Sequence, residues 1–171
     1  SGKEIATLAG HTNWVLDAMF RPDGSRILTA GRDRTARLWT DEAVTIETGQ
    51  KADGKRIWRA AISPDGMRVA APADNDTAKV WDARTGAVIS VLRGHDGSVN
   101  AVRFDPGGQR VVTASSDGTA RIWDAATGKS LRVLSGHKAG VIAAVFSPDG
   151  RRVPTGSDDN TAKIWDAENG K

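Results

Sequence analysis

The sequence predicts an all-β protein built from four copies of one small antiparallel sheet, and three observations carry that expectation. Trp39, Trp81, Trp123 and Trp165 stand 42 residues apart, and Pro22, Pro64, Pro106 and Pro148 keep the same spacing. Gly24, Gly66, Gly108 and Gly150, and the pairs Thr35-Ala36, Thr77-Ala78, Thr119-Ala120 and Thr161-Ala162, hold that register without an insertion or deletion. Each period is filled by short apolar runs separated by turn residues, too short for helices. An unbroken period of this length marks a repeat array whose units stack on one another.

The elements follow in order. VLDAMF (15–20), IWRAAI (57–62), VNAVRF (99–104) and VIAAVF (141–146) are first strands. Each ends at a Pro-Asp-Gly or Pro-Gly-Gly turn, where Pro presets φ and Gly accepts a positive one. RILTA, RVAAP, RVVTA and RVPTG are second strands, and a tight polar turn leads into the third strands TARLW, TAKVW, TARIW and TAKIW. VTIE (44–47), AVISVL (87–92) and KSLRVL (129–134) are fourth strands. The strands show little strict alternation, which suits sheets covered on both faces by neighbouring sheets.

Composition agrees with a globular chain: 39% of the 171 residues are hydrophobic and 26% charged. The formal charge is +3 with no block of like charges, so no nucleic-acid surface is expected. There is no Cys, which excludes disulfides and thiolate metal sites. No apolar run has the length of a membrane span and no secretory signal core is present, so no membrane partner is expected and a cytoplasmic location is.

Gly10-His11, Gly94-His95 and Gly136-His137, together with Trp81-Asp82, Trp123-Asp124 and Trp165-Asp166, resemble the WD-repeat family over essentially the whole chain. The resemblance implies a β-propeller array of four-stranded blades. Blade 1 spans 12–50, blade 2 spans 54–92, blade 3 spans 96–134, and a three-stranded blade 4 spans 138–166. It also implies a buried hydrogen-bond relay in each blade, carried by His11, Thr29, Asp33 and Trp39 in the first. The third would use His95, Thr113, Asp117 and Trp123, and the fourth His137, Thr155, Asp159 and Trp165. The side chains match as donors and acceptors, since the indole N–H can only donate and an ionised carboxylate can only accept.

A catalytic triad or a histidine metal site would also use such residues. Three copies on separate blades argue against catalysis, and no second ligand follows any His at i+3 or i+4. The relay is therefore expected to be structural, with no catalytic, metal or cofactor residues. Repeat 2 cannot build it, because Asp53, Ala71 and Asn75 replace the His, hydroxyl and Asp. In repeat 1, Thr40 replaces the Asp after Trp39. In repeat 4, Pro154 stands where Leu28, Ala70 and Val112 do, in a strand flanked on both sides, so it removes a ladder donor or forces a bulge.

Three motifs are decoys. ATGKS (126–130) lacks the leading Gly of a phosphate loop, Asn75-Asp76-Thr77 is a sequon in a turn, and Asp158-Asp159-Asn160 is too short for a calcium loop. Trp14 and Trp58 break the period, with Ser98 and Gly140, then Asn100 and Ile142, at the matching positions. By the resemblance they sit at the top face with Arg32 and Arg56, and aromatic residues beside arginines are hot-spot chemistry. A filler role for Trp58, in the space the missing His leaves, is the alternative.

KEIATL (3–8) aligns with the fourth strands, while the last repeat stops after its third. In WD propellers an N-terminal strand completes the final blade, so 3–8 is the expected closing outer strand. Four blades are few for a closed ring of this family, and the expectation is a homodimer closing head to tail into eight. A lone four-bladed ring and a fragment of a longer propeller with a peptide-binding top face are alternatives. In function the chain is expected to be a non-enzymatic scaffold for protein or peptide partners, or else a structural or engineered half-propeller with no evolved ligand.

Overall fold

The computed structural model describes residues 2–39, 44–47 and 60–171, with backbone alone at 44–47. The described residues are all-β, in four antiparallel sheets. Blade 1 holds β1 (Val15–Phe20), β2 (Ile27–Gly31), β3 (Thr35–Trp39) and β4 (Val44–Glu47). Blade 2 holds β5 (Ala61–Ile62), β6 (Arg68–Pro72), β7 (Ala78–Asp82) and β8 (Val88–Leu92). Blade 3 holds β9 (Val99–Phe104), β10 (Arg110–Ser115), β11 (Thr119–Asp124) and β12 (Ser130–Ser135). Blade 4 holds β13 (Val141–Ala144), β14 (Arg152–Ser157) and β15 (Ala162–Asp166). Within each sheet the strands lie in chain order. No helix of the described residues is long and apolar enough to cross a membrane.

Local chemistry explains the hairpins. Gly24, Gly66, Gly108 and Gly150 adopt φ near +70°, a region closed to most side chains. In three of these turns an Asp carboxylate accepts the backbone N–H two residues on: Asp23 from Ser25, Asp65 from Met67 and Asp149 from Arg151. Blade 3 has Gly107 at that position, and Asp105 instead receives the Arg110 N–H at 2.9 Å. The hydroxyls of Ser63 and Ser147 accept the matching bonds in blades 2 and 4.

Adjacent blades pack through complementary faces. The leading face of blade 1 (Leu28, Ala36, Leu38) meets the trailing face of blade 2 (Ala60, Val69, Trp81). Blade 2 meets blade 3 through Ala70, Ala78 and Val80 against Val102, Val111 and Trp123. Blade 3 meets blade 4 through Val112, Ala120 and Ile122 against Ala144, Val153 and Trp165. The same repeat positions recur at each junction, and none of these clusters joins blade 4 to blade 1. The two outer faces are open: Phe20 of blade 1 is 67% exposed and Ile164 of blade 4 is 69% exposed, while Leu38, Val80 and Ile122, the equivalents of Ile164, are 0% exposed.

Pro154 has a visible cost. β14 continues through it, opposite Ile164 of β15, so no bulge forms there. On the other side β13 ends at Ala144, whereas β9 pairs on to Phe104. The Val145 N–H reaches the Pro154 carbonyl at 3.3 Å, and the reciprocal bond of that pair needs the N–H that proline lacks. Residues 2–10 carry no strand. Ile5 is 99% exposed and Leu8 41%, although Leu92 and Leu134 at the register of Leu8 are buried. A lone strand has no ladder, and the edge that 3–8 matches, beside β15, lies in the blade at the far end of the array.

Candidate functional site

Three blades assemble the histidine chain with nearly identical geometry. Each His Nδ1 lies 2.7–2.8 Å from an Asp Oδ2: His11 from Asp33, His95 from Asp117 and His137 from Asp159. Each Nε2 lies 2.7–2.8 Å from the hydroxyl of Thr29, Thr113 or Thr155. That hydroxyl accepts the indole N–H of Trp39, Trp123 or Trp165 at 2.8 Å. A carboxylate only accepts, so Nδ1 carries the proton, Nε2 accepts from the hydroxyl, and the hydroxyl accepts from the indole. A neutral imidazole completes this chain, and burial holds the His95 pKa below its usual 6.5 against the opposing pull of Asp117.

The carboxylates are held ionised. Burial opposes the charge on Asp117, but bonds from the Thr119 hydroxyl, the His95 ring and the Thr119 N–H outweigh it and lower the pKa to about 2. Asp159 is lowered chiefly by the Thr161 hydroxyl and the Lys138 N–H. Asp33 is lowered too, where burial is outweighed by the Thr12 N–H, the Thr35 hydroxyl and the His11 ring. Thr35, Thr119 and Thr161 are thus a fifth member of the chain, donating to the carboxylate at 2.6–2.8 Å. Their signal in the sequence was the invariant Thr-Ala pair, which strand pattern alone does not distinguish from turn punctuation. In blade 2, Ala71 and Trp81 are buried and Asn75 sits at φ +53°, while Asp53 lies outside the described residues.

Of the expected top-face residues, Trp14 and Arg32 meet. Trp14 is 68% exposed, and the Arg32 guanidinium stacks 5.1 Å from its ring centroid. The Arg32 N–H donates to the Trp14 carbonyl at 2.7 Å. The same backbone bond joins Ser116 to Ser98 and Asp158 to Gly140 at 2.9 Å, so one scaffold presents different side-chain pairs around this rim. Arg56 and Trp58 lie outside the described residues.

A second set of arginines bridges blades on the opposite side. The Arg68 guanidinium lies 5.7 Å from the ring of Phe104 in the next blade, and that of Arg110 lies 5.0 Å from Phe146. Arg110 also donates to the Gly150 carbonyl at 2.8 Å. Strand reading did not single these residues out, because a contact between periods has no local pattern; their constant register was the available signal.

Antiparallel sheets of three or four strands stacked in series, three of them with a His–Thr–Trp chain at one end, define a β-propeller repeat protein. Matches to the WD domain, G-beta repeat, model cover residues 2–40, 44–82, 86–124 and 128–166, and the chain belongs to that family. Individual relatives match over about one repeat. Nuclear distribution protein nudF 2 of Talaromyces marneffei is 45% identical over 38 residues, 22% of this chain and 8% of that protein. Apoptotic protease-activating factor 1 of Homo sapiens is 46% identical over 44 residues, 26% of this chain and 4% of that protein. Nuclear distribution protein PAC1 of Arthroderma benhamiae is 46% identical over 48 residues, 28% of this chain and 10% of that protein. The chain thus spans a tenth or less of these relatives.

Proposed function

We propose that the chain is a non-catalytic interaction scaffold whose four blades pair head to tail with those of a second copy to form an eight-bladed ring. The observation that carries the assembly is the pair of open faces. The trailing face of blade 1 (Val15, Ala18, Phe20) and the leading face of blade 4 (Pro154, Ala162, Ile164) are exposed. By register they are the two halves of the contact made at every internal junction. A heterologous contact of this kind closes when the rotation closes, and two chains of four blades give eight, where the family typically closes at seven or eight. The segment 3–8 would then supply the outer strand of the partner's blade 4, with Leu8 in the buried position that Leu92 and Leu134 hold.

The non-catalytic reading rests on the relay. Thr29, Thr113 and Thr155 are 0–6% exposed, and their oxygens already accept the indole N–H. Both nitrogens of each imidazole are engaged as well. Such a hydroxyl has no path to a substrate, and such an imidazole has no free lone pair for a metal. The relay's role in this reading is to tie blades 1, 3 and 4 together at their upper ends.

The binding surface in this reading is the rim that presents Trp14 and Arg32, and the partner is a protein or peptide, since an exposed aromatic ring stacked with a guanidinium is hot-spot chemistry. Light scattering tests the assembly: a mass of two chains is expected, and a mass of one overturns it. Trp14→Ser with Arg32→Ser installs the residues that repeat 3 carries. The double variant should keep its mass and melting midpoint yet lose a peptide selected on the wild-type protein, and undiminished binding removes these residues from the site.

A further inference from the structure

The arginine bridges between blades have unmatched halves at the two ends of the array. Position 26 of each period is always arginine: Arg26, Arg68, Arg110 and Arg152. Where the next blade offers a phenylalanine, the arginine stacks on it, as Arg68 does on Phe104 and Arg110 on Phe146. The junction of blades 1 and 2 is a built-in control. Ile62 replaces the ring there, and Arg21 reaches across instead, donating to the Asp65 carbonyl at 3.1 Å.

Two halves remain. Arg152 on the leading side of blade 4 is exposed, and its guanidinium has no partner among the described residues. Phe20 on the trailing side of blade 1 is 67% exposed, while Phe146 is 7% exposed. The turns tell the same story. A methyl built on Gly108 or Gly150 would lie 3.1 or 3.0 Å from the guanidinium of the preceding blade, and one built on Gly24 would meet nothing within 4 Å.

Resting on the head-to-tail reading above, we propose that Arg152 of one copy stacks on Phe20 of a second copy and donates to its Gly24 carbonyl. The ring is then locked by two identical intermolecular clamps, each a repetition of the Arg110–Phe146 contact. The clamp fixes the pairing as leading face on trailing face, because neither face carries both halves. A face-to-face dimer would bring two guanidiniums together, or two rings, and make no clamp.

The test uses two full-length variants, Arg152→Gln and Phe20→Ile, the second installing the residue that repeat 2 tolerates. Each homodimer of a variant loses both clamps, and each is expected to dissociate about 25-fold more readily than wild type, at about five-fold per clamp. Mixed together, one chain of each variant rebuilds one intact clamp, from Arg152 of the Phe20→Ile chain and Phe20 of the Arg152→Gln chain. With one variant isotope-labelled, native mass spectrometry should find about five-sixths of the dimers mixed, against the statistical half, for a five-fold preference. A mixed share of one half in a dimeric protein overturns the clamp and leaves the assembly standing. A wild-type protein that is a single chain in solution overturns the assembly, and the clamp with it.

Discussion

Blade 3 and blade 4 carry the same relay with distances that agree within 0.1 Å, yet their leading faces meet opposite fates. Val112, Ala120 and Ile122 are 0–1% exposed beneath blade 4, while Pro154, Ala162 and Ile164 at the same positions are exposed. The relay survives the loss of a neighbour because all its members belong to one blade. Hydrophobic burial does not survive it, because every apolar position on a blade face needs another blade. The comparison separates what a repeat does for itself from what it does only in company.

The largest expected effect sharpens that contrast. Ile122→Ala should cost roughly 2–5 kcal/mol of folding stability, as a buried truncation does. Ile164→Ala, measured by urea unfolding at concentrations where the chain is a monomer, should change stability by less than about 0.5 kcal/mol. Equal losses at the two sites would show that Ile164 is already covered within one chain. At higher concentration the Ile164 variant should associate more weakly than wild type, and Ile122→Ala should not act through association.

The relay comes next. His95→Ala strands a buried hydroxyl and should lower stability by roughly 1–3 kcal/mol. His137→Ala and His11→Ala should behave alike, since the chain is internal to each blade. Unchanged melting midpoints in all three would remove its structural role, and a cost confined to His95 would show that the relay depends on neighbours after all.

Acid should act on the same groups in two windows. Burial lowers the His95 pKa in the folded state, so the unfolded chain binds the extra proton first. Its contribution is full above the ordinary 6.5 and is lost as pH falls through the lower folded value. Asp117, held at about 2 against an ordinary 3.8, contributes above 3.8 and loses that contribution as pH falls toward 2. The melting midpoint should therefore fall on acidification from pH 7, first through the histidine window and again below pH 4. His95→Gln should flatten the first window, and a wild-type midpoint that rises there breaks the assignment of a neutral imidazole.

The smallest effect concerns the strand that differs most between the two blades. Pro154→Val restores the N–H that faces the Val145 carbonyl and lets β13 pair on toward Phe146, as β9 pairs to Phe104. The gain should be about 1 kcal/mol, one net hydrogen bond, read from thermal unfolding. A midpoint at or below that of the parent would mean that the proline ring's stiffness offsets the missing rung.

The four units, most of their strands and their turns were legible in the sequence, and the family resemblance added the His, Thr, Asp and Trp of the histidine chain, though not its second threonine. All of these are settled by contacts within one 42-residue period, where turn chemistry, strand pairing and donor–acceptor matching repeat in register. Even the cost of Pro154 was readable as a missing donor; that it shortens β13 and leaves β14 unbent needed the ladder. Which copies of an equivalent residue are buried was settled by the packing of one blade on the next. Ile122 and Ile164 have the same side chain, the same strand position and almost the same neighbours in sequence. The tertiary structure also settled that Arg32 stacks on Trp14, that Arg68 and Arg110 cross to the next blade while Arg152 does not, and that residues 2–10 carry no strand in the single chain. The physical reason is common to all of these: a hydrogen bond within a hairpin is specified by residues close in the chain, whereas burial is a property of whatever surface arrives opposite.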